Sequence, residues 1–348
     1  MLFGSKKIIG LDIGTSSIKI AELDVTRRSV QLVSFGFAAT PPNTLNGGEI
    51  SNPTSLAQAI QGLITQLKSK RKNASVGMWG TAVIVKKITI PKMEQKLIGD
   101  QIKWEAEQYI PFDINNISLD YHMIPSNETG ETMDILLIAA QNELVGQYVA
   151  ITIVAGLKVD VLDVSGFALA NIFETNYGKM TGEVIGLLNI GAGVTNFVVL
   201  ANGEVVFSRD VPVGGFNYTN EIHKEMGVTL PEAESLKLSA VARGAVPDEV
   251  HSIISATNDM VTEEIRNSFE FFSGSNNGMG LNRCFLTSGC SVIPGLPEQI
   301  MKASQVPLEM MNPFQRVKVS KGLSPQYLQQ ITPFASVAMG LGLRKAGD

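Results

Sequence analysis

The apolar positions change spacing along the chain in a way that predicts a repeated strand-turn-strand unit. At 8–23, IIGLDIGTSSIKIAEL, an apolar run meets Asp12, Ile13 and Gly14, passes through small residues and resumes as a second apolar run. That pattern predicts a strand, a tight turn and a strand. It returns at 184–200, VIGLLNIGAGVTNFVVL, placing Leu11 on Leu188, Asp12 on Asn189, Ile13 on Ile190 and Gly14 on Gly191. One such turn is compatible with a plain hairpin; two at matched positions predict a duplicated half.

The segments between fill in an α/β order. A strand over 30–40 is followed by a loop at Pro41, Pro42 and Asn46-Gly47-Gly48. Helical spacing over 53–70 puts Leu56, Ile60, Leu63, Ile64 and Leu67 on one stripe, with Ser51 or Asn52 as cap. One or two strands cover 76–90, so the chain opens as an α/β layer. Its character then changes. A charged amphipathic helix at 91–109, strands at 116–125 and 133–141 joined by a polar turn at 126–131, a helix at 143–156 and a strand at 159–164 make a compact inset. From the residues alone this inset is either a lid or stabilising element, or an interaction module.

A helix at 165–177 leads into the second hairpin, and a tight turn at 201–204 into a strand at 205–209. Helices follow at 216–226, at 229–243, capped by Thr229 with Glu232 three residues on, and at 248–272. The chain then reads as a strand at 283–287, a glycine turn at 288–291, a helix at 293–303, a strand region at 310–319 and a closing helix at 332–344.

Composition narrows the class. The 348 residues suffice for two cores, and 44% hydrophobic with 18% charged residues is the balance of a water-soluble globular chain. A net charge of −5 supplies no electrostatic reason for a nucleic-acid partner. Residues 1–7 lack the uninterrupted apolar run of a signal peptide, and Lys158, Asp160 and Asp163 break the most apolar region, 145–172, which favours buried elements over a membrane span. Cys284 and Cys290 read as small buried or site-lining residues of a reducing compartment, which makes the cytoplasm the expected address.

The repeated turn carries the candidate chemistry. Gly14 has no Cβ to block a close approach, and the N–H groups of Thr15, Ser16 and Ser17 can point into one concavity that suits phosphate. Two facing hairpins would clamp a nucleotide's phosphates.

With a later strand-Ser-Gly-x-Ser turn and connecting helices near 165 and 332, the chain resembles the superfamily of actin, sugar kinases and chaperone ATPases. Within it, the inset is similar to that of the division protein FtsA and, more closely, to the PilM family of type IV pilus assembly. The closer likeness rests on GLDIGTSSIKIAEL at 10–23, WEAEQYIPFDINNISLDYHMI at 104–124, GGFNYTNEI at 214–222 with AESLK at 233–237, and AMGLGLR at 338–344. It covers essentially the whole chain.

The resemblance implies an actin-like ATPase fold: two duplicated RNase H-like domains with an FtsA-type inserted subdomain. Residues 1–85, 163–183 and 332–348 would form the first actin-like subdomain and 86–162 the inserted one. Residues 184–228 and 282–331 would form the second actin-like subdomain, and 229–281 its helical companion. It further implies a cytoplasmic adaptor that binds ATP, recruited to the cytoplasmic face of the inner membrane. There it would grip the N-terminal cytoplasmic peptide of PilN in a groove between the first subdomain and the inset, beside other platform and motor proteins. Assembly of copies into a ring stays open, and no direct membrane insertion is expected.

The same likeness assigns site roles. Asp12 would hold Mg2+ through water, or else be a buried carboxylate taking turn N–H groups. Lys19 would reach a phosphate, or be a solvated strand lysine. Gly14, Thr15, Ser16 and Ser17 on one side face Asn189, Gly191, Ala192, Gly193 and Thr195 on the other, with Gly214 and Gly215 nearby. Glu234 and Lys237 would meet the ribose and base, or be an ordinary surface pair. Ser288, Gly289, Cys290 and Ser291 would pass under the adenosine, Cys290 as a wall and not a nucleophile.

Hydrolysis is where this chain departs from the superfamily. ATPases of this kind commonly carry an acid where it has Asn189, and another where it has Ser165; Asp163 is the nearest substitute. An amide cannot take a water's proton. The expectation is ATP binding with slow or absent turnover, at most a weak ATPase. The competing readings are an FtsA- or MreB-like filament former and a small-molecule kinase. Against FtsA, the chain ends at Asp348, just after the closing helix, without room for an amphipathic membrane tail.

Overall fold

Strand β1 (Lys6–Ile13) reverses at once into β2 (Ser17–Val25), which pairs with β3 (Val30–Ala39). The computed structural model describes residues 6–125 and 130–345; the start of the N-terminal stretch, most of the expected polar turn at 126–131 and the last three residues lie outside the described residues. A two-residue hairpin, β4 (Leu45–Asn46) with β5 (Glu49–Ile50), precedes α1 (Pro53–Gln66), whose first turn is capped by the Asn52 side chain accepting the Ser55 N–H. Strand β6 (Asn73–Met78) then pairs in parallel with β1.

The 76–90 region resolves into two strands in different sheets. Strand β7 (Val83–Pro91) leaves for a three-stranded sheet with β8 (Ile117–Met123) and β9 (Thr132–Gln141), in the order β7-β9-β8, backed by α2 (Gln95–Tyr109). Helix α2 starts at Gln95 because Pro91 is still the last residue of a strand. Its Ile98, Ile102 and Ala106 join Ile88, Ile90, Ile135 and Leu137 in a core of their own. Helix α3 (Asn142–Val154) and β10 (Lys158–Val164) return to the first sheet: β10 pairs with β6, and Leu144, Tyr148 and Ile151 pack with α1.

After α4 (Ser165–Tyr177) the chain builds a second sheet from β11 (Val184–Ile190), β12 (Thr195–Ala201) and β13 (Glu204–Val211). Helices α5 (Gly215–Met226), α6 (Leu230–Val241) and α7 (Asp248–Ser275) follow, then β14 (Arg283–Thr287), α8 (Leu296–Ser304) and β15 (Leu308–Met310). Strand β16 (Lys318–Val319) crosses back to the edge of the first sheet.

The duplication read from the two turns is visible in the topology. The first sheet runs β10-β6-β1-β2-β3-β16 and the second β13-β12-β11-β14-β15. In each, a central strand has an antiparallel neighbour on one side, itself followed by another antiparallel strand, and a parallel neighbour on the other. Registers match as well. Asp12 lies opposite Lys19 as Asn189 lies opposite Asn196, and both sheets carry an irregularity farther along the outer antiparallel pair.

The chain's end differs from a single helix over 332–344. It forms α9 (Pro325–Ile331) and α10 (Ser336–Leu341), broken around Pro333. Proline has no N–H to give, and the Pro333 carbonyl instead accepts the Ser288 N–H and the Thr287 hydroxyl at 2.8 Å. The 293–303 helix likewise begins only at Leu296, after Pro294-Gly295, and the 310–319 strand region is two short strands in different sheets.

Helices α4 and α10 lie between the two sheets, where Leu169, Phe173, Ala338 and Met339 pack with Leu23, Leu187 and Val198. Their crossing depends on Gly340: a Cβ there would stand 1.7 Å from the Ala168 carbonyl oxygen. Gly340→Ala is expected to cost about 3 kcal/mol, the upper range for overpacking, in a urea titration. Gly146→Ala on α3, where a Cβ meets open space, should be neutral or stabilising by up to about 1 kcal/mol. Equal effects would show that the crossing gives way.

Candidate functional site

The carboxyl ends of β1, β6, β11 and β14 converge on one cavity of about 430 Å3. Open α/β sheets bind ligands at such ends. The two hairpin turns form opposite walls: Asp12, Gly14, Thr15, Ser16, Ser17 and Lys19 from the first, Asn189, Gly191 and Ala192 from the second. Glu234 and Lys237 of α6 and Ser288, Gly289 and Cys290 after β14 complete it.

The remaining residues expected at the site lie behind this surface. Thr195 is buried and donates its hydroxyl to the Val213 carbonyl at 2.8 Å, and Ser291 donates to the Ser288 carbonyl at 2.6 Å. Gly214 and Gly215 press on the second turn from behind, the Gly215 N–H reaching the Gly191 carbonyl at 3.0 Å. Gly193 points away toward a neighbouring cavity, its N–H held by the Thr15 hydroxyl at 3.0 Å. This last bond joins the tips of the two halves directly. Asp163 is buried off the cavity lining, accepts the Val164 N–H at 2.9 Å and pairs with Arg344 at 3.0 Å.

Polar groups in the cavity fall into those already occupied and those free for a ligand. Lys19 Nζ sits 3.0 Å from Asp12 Oδ2 and 3.3 Å from the Ser17 carbonyl. Lys237 is buried and gives its three hydrogens to Glu234 at 2.7 Å, Thr219 at 3.0 Å and the Gly215 carbonyl at 3.2 Å. It is a fixed wall. By contrast, the N–H groups of Thr15, Ser16 and Ala192 donate to no other described group, and the buried Ser165 hydroxyl on the lining has no partner among the described residues. Unpaired turn N–H groups facing a cavity are what an anion satisfies. A Cβ at Gly289 would meet nothing within 4 Å, so the cavity opens there. The backbone at Ser288 adopts φ +83°, a region non-glycine residues rarely enter.

Several lining residues escape a motif-based reading. Trp79, just after β6, donates its indole N–H to the Ile13 carbonyl at 2.8 Å and forms the floor beside the first turn. Leu238, Val241 and Ile293 give an apolar wall near Glu234 and Lys237, and Phe37 and Phe334 meet edge-on at 5.1 Å. Asn196 could have been found by register, since it faces Asn189 as Lys19 faces Asp12.

Two topologically matched halves with facing hairpins over a shared cavity define an actin-like ATPase fold. A family model described as type IV pilus assembly protein PilM matches residues 10–346. The chain belongs to the PilM family. It superposes on a solved chain of a PilM–PilN type IV pilus biogenesis complex with a TM-score of 0.89 at 29% identity, covering 99% of this chain and 100% of that one. The ethanolamine utilization protein EutJ from Carboxydothermus hydrogenoformans shares the fold, with a TM-score of 0.57 at 14% identity over 97% of this chain and 89% of that one. FtsA of Pseudomonas aeruginosa is 24% identical over 260 residues, 67% of this chain and 60% of that protein. FtsA of Bacillus subtilis is 22% identical over 382 aligned positions, 96% and 82% respectively. The chain thus spans about three-fifths of the Pseudomonas relative's length.

Burial pushes the Cys290 thiol up to about 11, against a smaller opposing effect of the Lys237 ammonium, and burial raises Cys284 further. Only the thiolate reacts, and with a pKa of about 11 roughly one Cys290 in a thousand is ionised at pH 8. Iodoacetamide at pH 8 should therefore leave both cysteines unmodified over an hour in the native protein and alkylate both in denaturant, read by mass spectrometry. Rapid native labelling of Cys290 would mean that the wall opens.

Proposed function

We propose that the chain is an actin-like, ATP-binding adaptor of the type IV pilus assembly platform. In this reading it grips the N-terminal segment of a PilN-like protein and turns ATP over slowly or not at all. The observation that carries the nucleotide half of this reading is the pair of facing turns with unpaired N–H groups around a cavity of about 430 Å3. The partner half is supported by the likeness, over its whole length, to a chain solved as part of a PilM–PilN complex.

The residues fit a magnesium nucleotide. Thr15, Ser16 and Ala192 would give N–H groups to phosphate oxygens, Lys19 a point charge, and Asp12 a carboxylate for the water shell of Mg2+. The bound cation would neutralise phosphate charge. Leu238, Val241 and Ile293 offer an apolar face for the base, with Glu234 beside them for ribose hydroxyls and Gly289 leaving room below. Two positions support slow turnover: Asn189 is an amide on the lining, and Asp163 lies off it in a pair with Arg344. Neither is placed to take a proton from water.

The separate sheet β7-β9-β8 with its own core would take the partner together with the first half. No described helix is long and apolar enough to cross a membrane. A place at the cytoplasmic face of the inner membrane would come through the PilN-like partner.

Calorimetric titration of a PilN-type cytoplasmic peptide, with and without Mg-ATP, tests both halves. Peptide binding that strengthens with Mg-ATP is expected, and Asp12→Ala should weaken Mg-ATP at least tenfold, about 1.4 kcal/mol. Absence of peptide binding in every condition would remove the pilus reading. Steady hydrolysis on the order of 1–100 per second would remove the slow-turnover reading.

A further inference from the structure

A chain of side-chain hydrogen bonds runs inward from the nucleotide cavity. Asn189 Nδ2 donates to Asn196 Oδ1 at 2.7 Å, Asn196 Nδ2 donates to Asp210 Oδ1 at 2.6 Å, and Asp210 Oδ2 accepts the Gly80 N–H at 2.7 Å. Asn189 and Asn196 line the first cavity, Asp210 and Gly80 the second.

The polarity of this chain has one determinant. An ionised carboxylate only accepts, so Asn196 must turn its NH2 toward Asp210 and its carbonyl toward Asn189. Asn189 must then answer with its own NH2, which leaves its carbonyl oxygen as the free acceptor of a side chain on the cavity lining. On the opposite wall, at the equivalent register, Lys19 occupies Asp12 Oδ2 and leaves Oδ1. Both walls thereby offer oxygen acceptors, one charged and one neutral, which suits the donor-only outer face of a hydrated divalent cation.

We propose that Asp210 is a positioning residue that fixes the Asn196–Asn189 amide chain so that the second half presents an oxygen to the water shell of a magnesium nucleotide. This rests on the magnesium-nucleotide reading above. Asp210 lies off the lining of the nucleotide cavity and acts through two amides. Burial raises its pKa, while the Gly80 N–H and the Asn196 amide favour the charged form.

Asp210→Asn is the incisive variant because it keeps shape and inverts direction. Its carbonyl can still accept the Gly80 N–H, but its NH2 then faces Asn196, which must flip, and Asn189 in turn shows NH2 to the cavity. Binding of ATP is measured by calorimetry with Mg2+ and with EDTA, for the native protein, Asp210→Asn, Asn189→Ala and the double variant Asn189→Asp with Asp210→Asn. The expected result is a tenfold loss of Mg-ATP affinity in Asp210→Asn, with metal-free ATP affinity unchanged within twofold. The double variant should regain native Mg-ATP affinity, because a carboxylate at 189 accepts from the flipped Asn196. Asn189→Ala should show the same magnesium-specific loss and serves should Asp210→Asn not fold.

Equal losses with and without metal, or no rescue in the double variant, would reduce Asp210 to a structural brace and overturn the proposal while leaving nucleotide binding in place. A native protein that binds no ATP in either buffer would overturn the magnesium-nucleotide reading and this inference with it.

Discussion

Two helices wedged between two sheets set the geometry on which the cleft depends. Helices α4 and α10 approach so closely that a Cβ on Gly340 would stand 1.7 Å from the Ala168 carbonyl, and α10 presses on β1 so closely that a Cβ on Gly10 would stand 2.0 Å from the Ala338 carbonyl. Gly166 meets the second sheet in the same way, 2.7 Å from Ser208 Oγ and 2.8 Å from Val198 Cγ2. Packed interiors transmit displacement because they have little room to absorb it. Any side chain at these positions would push the halves apart, and the turns at the ends of β1 and β11 would no longer meet through Thr15 and Gly193.

The halves repeat in backbone and diverge in charge. At one register the first sheet places an Asp12–Lys19 ion pair, the second an Asn189–Asn196 amide pair. Partly buried charges need a partner to offset lost hydration, whereas a hydrogen-bonded amide pair carries a smaller desolvation cost. The charge on the second side has moved one strand away, to Asp210 on β13. At this register the cleft is therefore asymmetric: a charged pair from the first half faces a neutral one from the second.

What was legible in the sequence followed from periodicity and from small residues at fixed offsets. The hairpins stood out because Gly14 and Gly191 close apolar runs broken at matched positions by Asp12 and Asn189, and α1 because Leu56, Ile60 and Leu63 share a stripe that is indeed buried. The cavity residues on those turns were found with them. Less legible were elements fixed by distant partners. The break between α9 and α10 arises where the Pro333 carbonyl is drawn to Thr287 and Ser288, and β16 is two residues paired with β3 at the sheet edge. Trp79 and Asp210 escaped for the same reason: a tryptophan after a strand and an aspartate on an edge strand carry no local sign that one supports Ile13 and the other Asn196. Thr195 and Ser291 had the chemistry of ligand donors, yet nearer carbonyls take their hydroxyls.

The amide chain also bears on how a cleft and an inserted sheet can influence one another. Gly80, its far end, lies three residues before β7, the first strand of that sheet, and Asp210 on the second half holds its N–H. Spatial continuity alone transmits nothing; coupling needs an element with two discrete arrangements whose balance both sites bias. Two amides in series on an ionised carboxylate hold a single arrangement, because the carboxylate can only accept and a reversed chain would set the Asn196 carbonyl against it. The oxygen at Asn189 is presented by a chain already fixed at its far end, where the Gly80 N–H rests on the same carboxylate. Asp210 thus braces the second half against the base of the inserted sheet without acting as a switch between them.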